Sequence, residues 1–396
     1  MQYFRFLNDY QKDSIFYKKP ASVSKDSDKR KLEYALGATL YMPATRKDVA
    51  DMIIQRKYKE MCSMVLCLED SIGDSFVEEA QKQIVIEMKK ITLALNAGRI
   101  SSDELPLIFI RVRNPEQLTV LGNELGQDLH LITGFVYPKF SSKNAKAYLS
   151  AQNSLAQAHG IALYGMPILE SEEIINKLTR SEELFKMNEI MDSYKESILN
   201  IRIGATDLCG LFGIRRSPSM TIYDIKVISD LIIDIVNFFG RTFCISGAVW
   251  EYFENPSKIV KPQLRPSPFD HSLGEVGLRV RTSRYDDGLI KETIMDLANG
   301  IHGKTVIHPT HLKIVQSLLT VSKEDYLDAK SIVEHTKGTS SGGAIKSSFA
   351  NRMNEVKPHL KWAKTILIKS DIYGVYHENR SYIDMLTEQT HATNLG

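Results

Sequence analysis

Apolar residues fall along this chain in short dense runs, separated by longer stretches in which they recur at helical spacing. The densest run opens the stretch Met61-Cys-Ser-Met-Val-Leu-Cys-Leu-Glu-Asp-Ser-Ile-Gly-Asp74. Its first half suits a strand buried on both faces of a parallel sheet. Glu69 and Asp70 then stand side by side where the strand should surface. Two carboxylates there are costly unless a cation or a hydrogen-bond donor faces them. They read either as a polar strand end capping the next helix or as the rim of an active site.

The other runs follow the same plan. Residues 1–30 are polar and read as an N-terminal extension, closed by an exposed linker, Ser22-Val-Ser-Lys-Asp-Ser-Asp-Lys-Arg30. Besides the run above, strands are predicted at Tyr34–Met42, Pro106–Val112, Ile132–Tyr137, Ile161–Met166, Leu199–Gly204, Arg241–Gly247 and Lys304–His308. Helical spacing follows Thr45-Arg-Lys-Asp48 and returns at 76–95, 143–158, 171–195, 222–238 and 287–299.

Eight strand–helix units predict an α/β fold, a (β/α)8 TIM barrel. A doubly wound open sheet is the alternative, but neither GxGxxG nor GxxxxGK[ST] occurs. The domain plan is an N-terminal extension over 1–30, a barrel over 31–320 and a C-terminal helical lid or oligomerisation segment over 321–396. Within the last, helical patterns at 324–336 and 355–368 flank a glycine-rich hinge, Gly338–Gly343. A proline-rich loop over 254–274 interrupts the rhythm before the last barrel helix.

Composition narrows the function classes. With 43% apolar and 25% charged residues and a net charge of +2, nothing points to a nucleic-acid or membrane partner. No run approaches the ~18 apolar residues of a membrane span, and the N-terminus does not read as a signal peptide. The cysteines, Cys62, Cys67, Cys209 and Cys244, form no CxxC pair and read as buried, reduced thiols. The chain is expected to be cytoplasmic.

The chemistry lies in where polar residues fall. The C-terminal ends of successive strands carry Arg46, Glu69-Asp70, Arg111, Lys139, Glu170, Asp207 and His308, and in a barrel these converge on the catalytic face. A lone Glu after a strand is ordinarily a helix cap; seven such positions in register point to a site. Glu170 and Asp207, from adjacent strands, suit a hard divalent cation such as Mg2+, which takes one or two carboxylates and leaves its other positions to water and substrate. The absence of HxxH or a cysteine cluster argues against zinc. Arg111 suits a substrate carboxylate. His308 reads as a buttress of the barrel end, not a ligand.

At these residues the sequence resembles the citrate lyase β-subunit-like branch of the HpcH/HpaI aldolase family, over about residues 34–320 with a weaker tail to about 368. The resemblance is carried by Tyr41-Met-Pro-Ala-Thr-Arg46, Val65-Leu-Cys-Leu-Glu-Asp-Ser-Ile72, Ile110-Arg-Val112, Tyr137-Pro-Lys139, Ile168-Leu-Glu-Ser171, Gly204-Ala-Thr-Asp-Leu208 and Gly303-Lys-Thr-Val-Ile-His-Pro309, in family order. It implies a homo-oligomeric barrel, trimer or hexamer, with Mg2+ (Mn2+ as the alternative ion) held by Glu170 and Asp207. It implies Arg111, Glu69 and Asp70 in catalysis, with Arg46, Arg111 and Lys139 binding substrate. The implied reaction is carbon–carbon bond cleavage or formation between a 2-oxo acid and an acyl partner, often a CoA thioester, through a metal-stabilised enolate. A CoA thioester would need basic residues near the mouth for its phosphates: Arg46, Lys47, Arg215 and Arg216 could serve, but the paired arginines read equally as solvated surface cations.

Four departures stand out: Cys67 in place of a common Asp, Arg113 in place of Asn, the long 254–274 loop, and Asn354-Glu-Val-Lys-Pro358. In the last, Val356 occupies the position of a catalytic Asp and Glu355 falls one residue early. The divergence resembles the C–C bond lyase subgroup. Two alternatives stay open: a condensing enzyme with a sugar- or nucleotide-linked acceptor, and a catalytically silent barrel used for binding or assembly.

Overall fold

The computed structural model describes residues 1–254, 284–336, 343–349 and 351–387. The proline-rich loop beyond Glu254 and the hinge residues 338–342 lie outside them.

Eight parallel strands form one sheet: β1 (Ala38–Pro43), β2 (Ser63–Cys67), β3 (Leu107–Arg111), β4 (Ile132–Tyr137), β5 (Tyr164–Leu169), β6 (Ile201–Ile203), β7 (Ile245–Ser246) and β8 (Lys304–Val306). Their order is β7-β6-β5-β4-β3-β2-β1-β8. The gap between β7 and β8 is spanned by a Gly247–Lys304 bridge and by backbone bonds from Gly247 N–H to Gly303 O (3.0 Å) and Thr305 N–H to Gly247 O (3.2 Å). Spatial order therefore follows chain order around a closed barrel, as the strand–helix rhythm predicts.

The elements follow from local sequence. All five residues of β2 are buried, which explains why its run is apolar from Met64 onward. The helix Pro115–Leu125 starts where the Asn114 side chain accepts from Gln117 N–H at 2.8 Å, with proline in its first turn. The helix Ala145–His159 stops at Gly160, whose φ of +64° suits the left-handed cap. The helix Lys226–Phe239 buries Ile228, Leu231, Ile232, Ile235 and Phe239, each worth about 1.5–3 kcal/mol when fully removed from water.

Several strand ends differ from the periodicity, among them the starts of β5 at Tyr164 and of β7 at Ile245. β1 starts at Ala38, because Lys29–Tyr34 forms a short helix capped by Asp28, whose side chain accepts from Arg30 N–H at 2.9 Å. β5 runs on to Leu169, two residues past a proline at 167. All four cysteines are buried and none forms a disulfide. Among the described residues no helix is long and apolar enough to cross a membrane.

The barrel interior carries a polar layer in place of the usual branched apolar one. Arg202 of β6 donates to Thr39 Oγ1 of β1 and Thr305 Oγ1 of β8, both at 2.7 Å, and Ser63 of β2 donates to Thr39 Oγ1 at 3.0 Å. A second buried network ties the helix Arg284–Ala298 to the sheet. Lys304 Nζ reaches Glu292 at 3.0 Å and Asp296 at 2.7 Å, and Tyr223 donates to Asp296 at 2.6 Å.

Contacts divide the chain into two units: Met1 with Ser24–Val315, and Gln2–Val23 with Gln316–Gly396. In the second unit the strand Phe16–Lys18 pairs antiparallel with Val375–Tyr376. Tyr3 packs on Tyr373 at 4.5 Å between ring centres, and Phe16 stacks on Tyr376 at 6.2 Å. These aromatics are the physical reason that the N-terminal residues group with the C-terminal ones. The helices Lys323–Thr336 and Val356–Tyr373 pack through Ala329, Ile332 and Ala363. Val356 is buried at the start of its helix, and Glu355 is exposed at the end of the short strand Met353–Glu355.

Candidate active site

The C-terminal ends of β2 to β6 bring together Glu69, Asp70, Arg111, Lys139, Glu170 and Asp207. Arg111 closes β3 and is 8% exposed. Its Nη2 meets Glu69, Asp70 (2.9 Å) and Glu170 (3.1 Å). Lys139 follows β4 with φ of +48°, a left-handed turn rare outside glycine. That turn lets its N–H donate to Glu170 Oε1 at 3.1 Å while its Nζ reaches Glu69 Oε1 at 3.1 Å. Two cations thus face four carboxylates, which answers the cost posed by the exposed end of β2.

Glu170 follows β5 and is 3% exposed. Its carboxyl hydrogen-bonds with that of Asp207, in the short helix Ala205–Leu211 after β6. Gly204 makes room for it: a Cβ there would lie 1.9 Å from Glu170 Oε2. Burial pushes the Glu170 carboxyl up to about 8, against the pull of Arg111 and with the charge of Asp207 adding to the rise. Burial, then the charge of Asp70, raises Asp207 as well. Burial and a hydrogen bond with Asp70 raise Glu69. Asp70 goes the other way: although burial opposes it, the bond with Glu69 and the charges of Arg111 and Lys139 hold it low. Each neighbouring pair therefore favours sharing one proton.

Two cavities meet at Glu170 and Asp207. One, of about 410 Å³, runs into the barrel between Tyr41, Cys67, Asp70, Arg111, Arg202 and Thr305, with apolar walls from Met42, Ile168, Ile203, Val249 and Ile307. The other, of about 650 Å³, is the more polar of the two, with Lys139, Lys143, Asn144 and Glu173 in its lining.

Arg46 is not brought into this cluster. Its guanidinium forks onto Asp48 at 2.9 and 2.7 Å, and it lines neither cavity. Arg216, expected near a thioester phosphate, is instead buried: it pairs with Glu292, donates to Val249 O at 2.6 Å and lies 4.9 Å over the Trp250 ring. Arg215 is exposed. Arg113 pairs with Asp74 at 2.5 Å. His308 bonds Thr310 at 2.8 Å and stacks on Phe253 at 4.4 Å between ring centres. Strand-end reasoning passed over two cavity residues, Tyr41 and Arg202. The signal available for Arg202 was a lone cation inside the apolar run Leu199-Asn-Ile-Arg-Ile203.

Glu170 and Asp207 suit a hard cation. Among the described residues no cluster of three His, Cys, Asp or Glu side chains is placed to hold a metal. An ion here would take two carboxylates and complete its shell with water and substrate oxygens, the pattern Mg2+ accepts.

The sequence matches the family described as C-C_Bond_Lyase of the TIM-Barrel fold over residues 30–375. No curated protein matches it. Among solved structures, a citrate lyase from Burkholderia xenovorans LB400 superposes with a TM-score of 0.60 at 9% identity, covering 89% of this chain and 96% of that one. The protein CitE from Mycobacterium tuberculosis, in complex with magnesium, acetoacetate and coenzyme A, has a TM-score of 0.49 at 14% identity, covering 85% and 99%. A malate synthase from Haloferax volcanii has a TM-score of 0.47 at 14% identity, covering 71% of each chain. The Burkholderia protein shares the fold. The chain belongs to the carbon–carbon bond lyase family of the TIM-barrel fold and is a carbon–carbon lyase.

Proposed function

We propose that the protein makes or breaks a carbon–carbon bond between a 2-oxo acid and an acyl partner, with a divalent cation held by Glu170 and Asp207. The observation that carries this reading is the position of those two carboxyls. They form a wall common to two cavities, with Arg111 bound beside them. The ion, Mg2+ or Mn2+, would polarise the oxo group as a Lewis acid and favour negative charge on its oxygen.

The chain's own residues supply the rest. Arg111 holds the carboxylates in place through Nη2 and keeps a buried Nε without a partner, a donor for the oxo-acid head. Glu69 and Asp70, one raised and one lowered, can keep a proton between them at the cavity edge. Lys139 lines the second cavity and brings a cation to an anionic acyl partner there, for which a CoA thioester is the first candidate. The apolar walls of the first cavity exclude water from the reacting carbon.

The reading is tested by calorimetric titration of pyruvate, glyoxylate and oxaloacetate, each with and without Mg2+, into the wild type and Asp207→Ala. Binding that requires the ion and disappears in the variant is expected. Binding indifferent to both would remove the metal site, and absence of binding throughout would favour an assembly role.

A further inference from the structure

Arg202 is 1% exposed in the barrel interior. Its hydrogen-bond partners, Thr39 and Thr305, are neutral hydroxyls, and the Tyr41 ring lies 5.5 Å from its guanidinium. Among the described residues no carboxylate pairs with it. A buried cation satisfied only by dipoles is costly, and natural interiors rarely keep one without a counter-ion.

A second observation points the same way. Arg202 Nε, the Tyr41 hydroxyl and Arg111 Nε are all buried without a hydrogen-bond partner, and all three residues line the same cavity of about 410 Å³. Unpaired buried polar atoms are exceptions in folded proteins. Three around one cavity form a set of donors that lacks its acceptors.

Charge and register define what those acceptors must be. In ionised form, Glu69, Asp70, Glu170 and Asp207 are balanced by Arg111, Lys139 and one divalent ion. Arg202 then remains as an uncompensated positive charge. It pairs in register with Ile168, two residues before Glu170 on the neighbouring strand. At roughly 3.3 Å per residue, Arg202 lies one interior layer below the carboxylates, a separation on the order of the reach of a four-carbon dicarboxylate.

We infer that Arg202 and the Tyr41 hydroxyl form a second anion subsite inside the barrel, so that the oxo acid used here carries a second anionic group at the end remote from its oxo carboxylate. This rests on the reading above, in which the mouth takes the oxo-acid head. Arg202 acts as a specificity residue. It makes a dianionic oxo acid the preferred ligand over a neutral-tailed one of the same length.

The experiment compares oxaloacetate with 2-oxobutyrate, which keeps the oxo-acid head and replaces the distal carboxylate by a methyl group. Both are titrated into the full chain with Mg2+ present. The wild type is expected to bind oxaloacetate about thirtyfold more tightly or better, as a buried charge-assisted pair commonly delivers. Arg202→Met should reduce the ratio to about threefold or less, and Tyr41→Phe should reduce it severalfold, each leaving 2-oxobutyrate affinity unchanged.

A wild-type ratio near one overturns the inference while metal-dependent binding of both acids leaves the proposed function standing. Equal weakening of both acids by Arg202→Met also overturns it, by assigning Arg202 to the head carboxylate. If neither acid binds with or without Mg2+, both readings fall. Should Arg202→Met fail to fold, the wild-type ratio and Tyr41→Phe decide.

Discussion

Gly204 and Glu170 are packed so closely that a side chain on the first excludes the carboxyl of the second: a Cβ at 204 would lie 1.9 Å from Glu170 Oε2 and 2.4 Å from Glu170 Cβ. The glycine before the short helix after β6 is thus a spatial requirement of the carboxylate pair. Glu170 can stand beside Asp207 only because residue 204 has no side chain.

Gly204→Ala should therefore remove metal binding without touching a proposed ligand. Overpacking of this kind costs about 1–3 kcal/mol, so the variant should fold with a lowered Tm. Mn2+ affinity read by electron paramagnetic resonance should fall by about a hundredfold, the upper end for disturbing groups that orient a ligand. Wild-type affinity in a folded Gly204→Ala protein would mean that Glu170 does not hold the ion.

Asp207→Asn separates stability from function. Burial and the charge of Asp70 already disfavour ionised Asp207, so the neutral amide should leave the metal-free protein as stable as the wild type or more so by about 0.5–2 kcal/mol. Saturating Mg2+ should raise the wild-type Tm, since a ligand at about 100 times its Kd adds about 2.7 kcal/mol, and should leave the variant unmoved. Equal Mg2+-induced shifts by scanning calorimetry would exclude Asp207 as a ligand.

Arg111 has a structural duty that its strand-end position did not disclose. Its Nη2 faces three carboxylates at once, so Arg111→Met leaves them without their buried counter-ion at a cost of about 3–5 kcal/mol. Arg111→Lys keeps the charge, should retain most of the stability, and loses oxo-acid affinity because an ammonium cannot make two parallel bonds. Urea denaturation of the two variants beside an oxo-acid titration separates these roles. A stable Arg111→Met protein would show that Lys139 alone balances the cluster.

The fold was legible because a barrel imposes a simple rhythm: eight apolar runs, seven of them closed by a charged or polar residue, in chain order. The same rule made Glu69, Asp70, Arg111, Lys139, Glu170 and Asp207 legible as one group, since parallel strands of a closed sheet deliver their ends to one face. Partner choice was not legible. Arg46 stands at a strand end like the others, but Asp48 two residues away captures it. Arg216 looked like a surface cation because its partner, Glu292, lies 76 residues on. Arg202 bonds Thr39 from 163 residues away. In a run buried on both faces, periodicity does not say which residues point into the barrel.

His311 provides a pH test away from the metal ligands. It is buried, its Nε2–H donates to Tyr252 O at 3.0 Å, and its Nδ1 has no partner. Burial, helped by the neighbouring charges of His308 and Lys304 and opposed by the bond to Tyr252, pushes it down to about 4, against about 6.5 in an unfolded chain. Between those values the unfolded state binds the extra proton, so the stability that His311 contributes is complete above pH 6.5 and is lost as pH falls towards 4. The loss between pH 7 and pH 5 is about 2 kcal/mol. His311→Gln keeps a donor for Tyr252 O and cannot take up a proton in this range. Chemical denaturation at pH 7 and pH 5 should give the variant a smaller acid loss than the wild type by about that amount. Parallel acid limbs would show that His311 is as easily protonated in the folded protein as in the unfolded chain.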